Sequence, residues 1–343
     1  MTPWFSGKHS IHKHKFHQGV ICSLIGTTLF YAAGNCWVAG VVLSSWSSVP
    51  PILAALLLIW VGGACSRYGK RLMVPLAPER LKIDKRKPVV YLRSFELDFT
   101  AIPGTVQLVA SAGSPNLLAT SARPEESLQL LHALGPLIAI GKPGNIPELG
   151  AYRFYVDDRD WQSSISDLLP RAQLVVLVPG SSEGILWEIR QAARVVEHKR
   201  ILFYLPFVEN SGGTRQQQYE QFKKAAEVHY GCRFPDAIGE ALFLGFDSSS
   251  QPFLAQPEHC SQKNSLYHTT KASLIVALKR LDPTYEPPLF SPWPPFPLRA
   301  ADLTNLAIAA LSLAGVFYAL YTKRTPPFMP IVERLIASLT CAE

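Results

Sequence analysis

Charge is scarce in this chain. Asp, Glu, Lys and Arg make up 17% of its 343 residues against 48% hydrophobic ones, and mean hydropathy is +0.12. Ordinary soluble domains carry about 25% charged residues, so the shortfall predicts a membrane portion joined to one globular domain. Cysteine spacing is also uninformative. The six cysteines contain no Cys-x-x-Cys, which leaves no zinc or dithiol framework; Cys22, Cys36 and Cys65 fall in apolar runs and Cys232, Cys260 and Cys341 are scattered, as in a reduced cytoplasmic compartment. No internal repeat is visible, and the globular part has no basic patch interleaved with aromatics. Nucleic acid is therefore not an expected partner, although the net charge is +7 and the pI about 9.1.

What the chain does have is long apolar segments. Gly19 to Trp46 and Val49 to Cys65 are uncharged, and Leu303 to Tyr321 is a third run. Each approaches the roughly 20 residues that cross about 30 Å of hydrocarbon. A cleaved signal peptide is the alternative for the first run, and a buried core helix for the second. Lys8, Lys13 and Lys15 precede the first run, and Arg67, Lys70, Arg71, Arg80, Lys82, Lys85, Arg86 and Lys87 follow the second. Both flanks should then be cytoplasmic, with a hairpin between them. The third run either crosses, placing Lys323 and Arg324 outside, or re-enters. The spans carry no buried charge, which argues against a transporter.

The expected layout is a basic tail at 1–18, a transmembrane hairpin at 19–66, a basic linker at 67–87 and a cytoplasmic α/β domain at 88–283. A Pro-rich linker at 284–300, a third segment at 301–322 and a tail at 323–343 complete it. His9, His12, His14 and His17 read as part of a cationic tail rather than a metal site.

Within the domain, apolar runs alternate with helical patterns. Strands are expected at Val89–Leu92, Leu137–Ile140, Leu174–Val178, Ile201–Leu205 and Leu242–Phe246. Helices are expected at Pro124–Leu134, Asp160–Leu169, Gly184–Glu197, Gln216–Val228 and Thr269–Leu281. Five such strands imply a parallel, flavodoxin-like sheet of order 2-1-3-4-5 flanked by helices. Its switch point lies between the first and third strands, where the loops Ser94–Asp98 and Pro179–Glu183 meet. The expected site thus gathers Arg93, Ser94 and Phe95 with Ser181, Ser182, Trp187 and Glu188, and with the Gly141–Gly144 loop. Arginine suits a phosphate, and glycines suit close backbone approach.

The strand VVYLRSFELD, the loop GKPGNIPELGA and the helix WEIRQA resemble a TIR-like domain over residues 88 to 246, of the kind carried by a group of bacterial membrane proteins of unassigned role. That resemblance implies a glutamate, here Glu188, that cleaves the nicotinamide–ribose bond of NAD through an oxocarbenium-like state. NAD would be a substrate, with no further cofactor and no metal. The usual pattern sets a tryptophan three residues before the glutamate, whereas Trp187 immediately precedes Glu188, about 100° away around the helix.

Each residue also has a plain structural reading. Glu188 suits the helix dipole, in its ionised form. Trp187 suits a core, and Arg93 a pairing with Glu96 or Asp98. Gly141 and Gly144 suit a turn, and Asp157, Asp158 and Asp160 a helix cap. The expectation is a nucleotide-binding TIR-like signalling or effector domain anchored in the lipid bilayer of the bacterial inner membrane, facing the cytoplasm and forming homo-oligomers. The alternatives are a self-associating interaction module without catalysis and a nucleotide sensor that gates the spans.

Overall fold

In a computed structural model of the chain, residues 9–42, 49–93, 127–141, 149–157, 159–180, 182–207, 213–257 and 266–288 are described. They fall into two compact units, a helical one up to residue 74 and an α/β one from residue 75. The expected third segment at 301–322 and the tail at 323–343 lie outside the described residues.

The helical unit is a hairpin of α1 (His9–Val42) and α2 (Val49–Met73). Both helices outrun their apolar cores. Helix α2 continues past Cys65 through Arg67, Lys70 and Arg71, because Lys and Arg are good helix formers and complement the dipole in the last turn. Small residues form most of the seam, which Leu72 and Met73 close beside Gly19. Gly19, Ser23, Gly26 and Ala33 are buried on α1, as are Ala55, Gly62, Ser66 and Gly69 on α2. A Cβ added at Gly26 would lie 2.7 Å from the Gly62 carbonyl oxygen, and one at Gly69 would lie 2.5 Å from that of Gly19. The backbones therefore touch, as in close-packed membrane helix pairs. The large side chains point outward: Leu57 is 60% exposed and Trp60 58%. The segments Lys15–Cys36 and Val49–Met73 are long and apolar enough to cross a membrane.

The α/β unit opens with a short helix, α3 (Ala77–Ile83), inside what the sequence suggests is a linker; Pro78 in its first turn and the Glu79 carboxylate, which accepts from Leu76 N at 3.4 Å, start it. The strands are β1 (Val89–Leu92), β2 (Leu137–Gly141), β3 (Tyr152–Tyr155), β4 (Leu174–Leu177), β5 (Ile201–Tyr204), β6 (Phe243–Phe246) and β7 (Pro252–Ala255). They form one seven-stranded sheet of order β3-β2-β1-β4-β5-β6-β7. Pairing is parallel from β3 through β5 and antiparallel for β5–β6 and β6–β7. The helices are α4 (Trp161–Leu168), α5 (Glu183–Val195), α6 (Arg215–Tyr230) and α7 (Leu266–Leu281).

The sheet corrects the expectation of five parallel strands. It is mixed, it includes β3 and β7, and the strand expected at Leu242–Phe246 runs antiparallel. The reason lies after α6. Gly231, at φ 64°, caps the helix in the left-handed conformation and reverses the chain. The following segment then retraces α6. Glu227 accepts from Phe234 N, Tyr219 Oη donates to the Pro235 carbonyl, and Gln216 accepts from Ile238 N. Arg215 donates to the Ala241 carbonyl. The chain is thereby returned to the far edge and enters β6 in the opposite sense. The described part of the helix expected at Pro124–Leu134 is mostly a 3-10 turn, Gln129–Ala133.

Alternation along the strands divides the core. Val90, Leu92, Val175, Leu177 and Phe203 pack with α4, α5 and α6. Val89, Tyr91, Ala139, Val176 and Tyr204 pack with the Leu128–Leu131 turn and α7. Strands buried on both faces read as continuous apolar runs, as VVYL, LVVL and ILFY do.

Candidate functional site

The central parallel pair is β1–β4, with Leu92 in register with Leu177. Both the sheet order and the reversal of connection between β1 and β4 put the switch point where the sequence suggests it. Helix α5 begins just beyond β4. Ser182 caps it, accepting from Ile185 N at 3.4 Å. Ile185, Ile189 and Ala192 line its inner face, and Glu188 stands among them, also buried, at 4% exposure.

Glu188 is the anomalous residue. Among the described residues its Oε2 has no hydrogen-bond partner. Burial alone raises its pKa from 4.5 to about 8, so the acid is neutral near pH 7. Burial thus opposes the ionised Glu188 expected beside the helix N-terminus, where the dipole is worth about 0.3–1 kcal/mol at an exposed site. A carboxyl in an apolar stripe costs stability, and such perturbed groups concentrate at functional sites.

The other expected residues divide. Trp187 packs edge-on against Trp161 of α4, ring centroids 5.0 Å apart, beside the same core cluster. Arg93 is buried at the end of β1, its guanidinium carbon 6.0 Å from the centre of the Tyr91 ring. Tyr91 belongs to the α7 face, whereas Glu188 faces the α4–α6 layer. Arg93 and Glu188 are accordingly held on opposite faces of the sheet. Gly141 ends β2; a Cβ there would meet the Tyr155 ring at 3.1 Å and Arg153 Cδ at 3.5 Å. Ser94, Phe95, Gly144 and Ser181 lie outside the described residues.

Two further buried polar residues, Arg153 and His132, stand in or beside the sheet. Arg153, on β3, donates to the Ile140 carbonyl at 3.2 Å; the aromatic–arginine alternation of YRFY is the signal that could have revealed both strand and arginine. His132 accepts from Leu137 N through Nδ1 at 3.3 Å and meets the Gly150 carbonyl through Nε2 at 2.8 Å. Its pKa falls to about 4, first because of burial. It is a structural, neutral imidazole that ties β2 to the approach to β3. Among the described residues, no group of His, Cys, Asp and Glu is arranged to hold a metal ion.

No protein-family model, curated protein or solved structure matches the chain.

Proposed function

We propose that this protein is a membrane-anchored, cytoplasm-facing α/β domain that binds a nucleotide at the C-terminal edge of its parallel strands, and that it cleaves the nicotinamide–ribose bond of NAD with Glu188. One observation carries this reading: a buried carboxyl whose Oε2 has no hydrogen-bond partner among the described residues, in the second turn of the helix that follows the central strand. The protonated resting state would spare the apolar site an uncompensated charge. The cationic nicotinamide–ribose group of bound NAD would draw the pKa of Glu188 back down, so that its proton passes to solvent before the bond breaks. The carboxylate then faces the oxocarbenium-like ribose while nicotinamide leaves with the bonding electron pair and water adds to the ribose, releasing a proton. The hairpin supplies the anchor, supported by its outward-facing large apolar side chains.

The same burial supports a second reading. Glu188 is 4% exposed, Trp187 has a packing partner and Ser182 has a capping role. A non-catalytic interaction module needs no more than this.

Release of nicotinamide from NAD by the full chain in detergent separates the two. Under the first reading Glu188→Gln lowers turnover roughly a hundredfold, the cost of losing about 3 kcal/mol of preorganised stabilisation. Turnover equal to wild type would remove Glu188 from the chemistry. A wild-type protein that releases no nicotinamide, alone or assembled, favours the interaction module.

A further inference from the structure

The two edges of the sheet differ in charge in a way that only the fold creates. The parallel strands begin at one edge, and cations far apart in sequence collect there. Lys85 and Lys87 precede β1, Arg171 precedes β4 and Lys199 precedes β5; all are exposed. Lys279 and Arg280, exposed at the end of α7, arrive at the same edge, because Arg280 lies over the ring of Phe253 at the start of β7. Most acids at this edge are engaged locally; Asp167 and Glu286, also exposed there, are outnumbered by the cations. Asp84 pairs with Arg80 and Arg86, and Glu197 with Lys199. Asp247 accepts from Ser249 N and Gln251 N, and Asp282 from Thr284. At the opposite edge the exposed charges among the described residues are chiefly acidic: Asp157, Asp160, Glu183 and Glu240, with Arg159 the exception.

We propose that the edge formed by the N-terminal ends of the parallel strands is a docking surface for an anionic bilayer leaflet. This rests on the reading of the hairpin as a membrane anchor. Chain connectivity argues for the bilayer over other polyanions. Only Val74 to Leu76 separate α2 from α3, so the start of α3 stays within about 15 Å of the end of α2. A surface potential acts over a Debye length, about 8–10 Å in physiological salt, and draws in juxtamembrane cations. Between them Ile83, 76% exposed, adds an apolar contact flanked by Lys82 and Lys85. Docked in this way, the domain turns the C-terminal ends of its strands, where the proposed nucleotide binds, away from the lipid.

Amine footprinting tests the orientation on the unmodified full chain. The protein is inserted in nanodiscs of neutral phosphatidylcholine, or of phosphatidylcholine with phosphatidylserine, and lysine acetylation is read by mass spectrometry. Lys85, Lys199 and Lys279 should lose reactivity several-fold in the anionic discs and recover it in high salt. Lys224 and Lys271, exposed elsewhere on α6 and α7, should not change. The triple variant Lys85→Glu, Lys199→Glu, Lys279→Glu should abolish the difference as read at Lys87. Equal reactivity in both discs, or protection of Lys271 instead, overturns the proposal while leaving the anchor intact. Protection of the basic edge by duplex DNA in neutral discs, with none by anionic lipid, would assign it to nucleic acid and overturn the proposal. A chain that fails to co-elute with any disc removes the anchor itself, and the proposal falls with it.

Discussion

The hairpin and the α/β domain are packed in opposite senses. In the domain the largest side chains are inside: Phe203, Tyr204, Phe243 and Phe246 are at most 1% exposed, and Phe203 touches a cluster of aromatic rings. In the hairpin the interior is mostly glycine, serine and alanine, with Leu72 and Met73 buried at the end of α2, while Leu53, Leu57 and Trp60 face outward. Water rewards burial of large apolar surface. Lipid offers no such reward, and helices there associate by close backbone contact. The contrast supports a bilayer around the hairpin more specifically than apolar length does, since a soluble core helix can be equally apolar.

The largest expected break in that contrast is Phe203→Ala. It should destabilise the domain by about 3–5 kcal/mol, measured by denaturant unfolding of the full chain in detergent with tryptophan emission as the probe. Leu57→Ala, a comparable truncation on the outer face of α2, should change the same transition by no more than about 0.5 kcal/mol. Equal losses would mean that Leu57 has a protein partner.

Enlarging the interior should reverse the roles. Gly26→Leu forces a side chain onto the Gly62 carbonyl and the Ser66 backbone, neither of which can rotate away. A cost of about 1–3 kcal/mol or more is expected, seen as loss of helical dichroism at lower SDS fraction in mixed micelles. Domain unfolding should be unaffected.

Within the domain, Glu188 and His132 are both kept neutral by burial, and their pH signatures should oppose one another. The Glu188 pKa is raised, from 4.5 to about 8, so the folded state holds a proton that the unfolded chain releases. Stability should therefore fall as pH rises from about 4.5 to 8, and Glu188→Gln should flatten that slope in thermal melts. The His132 pKa is lowered, from 6.5 to about 4. Its contribution is present above pH 6.5 and is lost as pH falls toward 4, because protonation removes the acceptor of Leu137 N. His132→Gln should flatten the acid side. A Glu188→Gln melt with an unchanged slope would mean that the carboxyl is hydrated or paired in solution.

The smallest effect expected is Ser182→Ala. Removing the α5 cap should cost about 1 kcal/mol, with no change in the pH slopes.

Much of the fold was legible in the sequence because hydropathy and periodicity are local properties. The runs VVYL, LVVL and ILFY are strands, α5 follows β4 across a serine cap, and β1 lies beside β4. Strand β3 is legible only as the short alternation YRFY rather than as an apolar run, and β7 is obscured by its leading proline. At the candidate site, the position of Glu188 on its helix was legible, whereas its protonation was not: the dipole can be read from helix position, but desolvation depends on everything packed around the carboxyl. Arg93 shows the same limit. Its place at the strand end was evident, yet strand parity and the Tyr91 contact put it on the other face of the sheet from Glu188.

The sequence by itself determined that two apolar helices begin the chain, that strands and helices alternate after them, and that a carboxylate sits one turn into the helix after the central strand. These follow from side-chain chemistry and spacing along a few turns of chain. Only the tertiary structure decided that glycine backbones approach one another in the hairpin, that β6 runs backward, that burial favours the protonated form of Glu188, and that lysines and arginines more than a hundred residues apart share one edge of the sheet. Each of those depends on what distant segments bring into contact, and burial, strand direction and electrostatic field are properties of that contact rather than of any stretch of sequence.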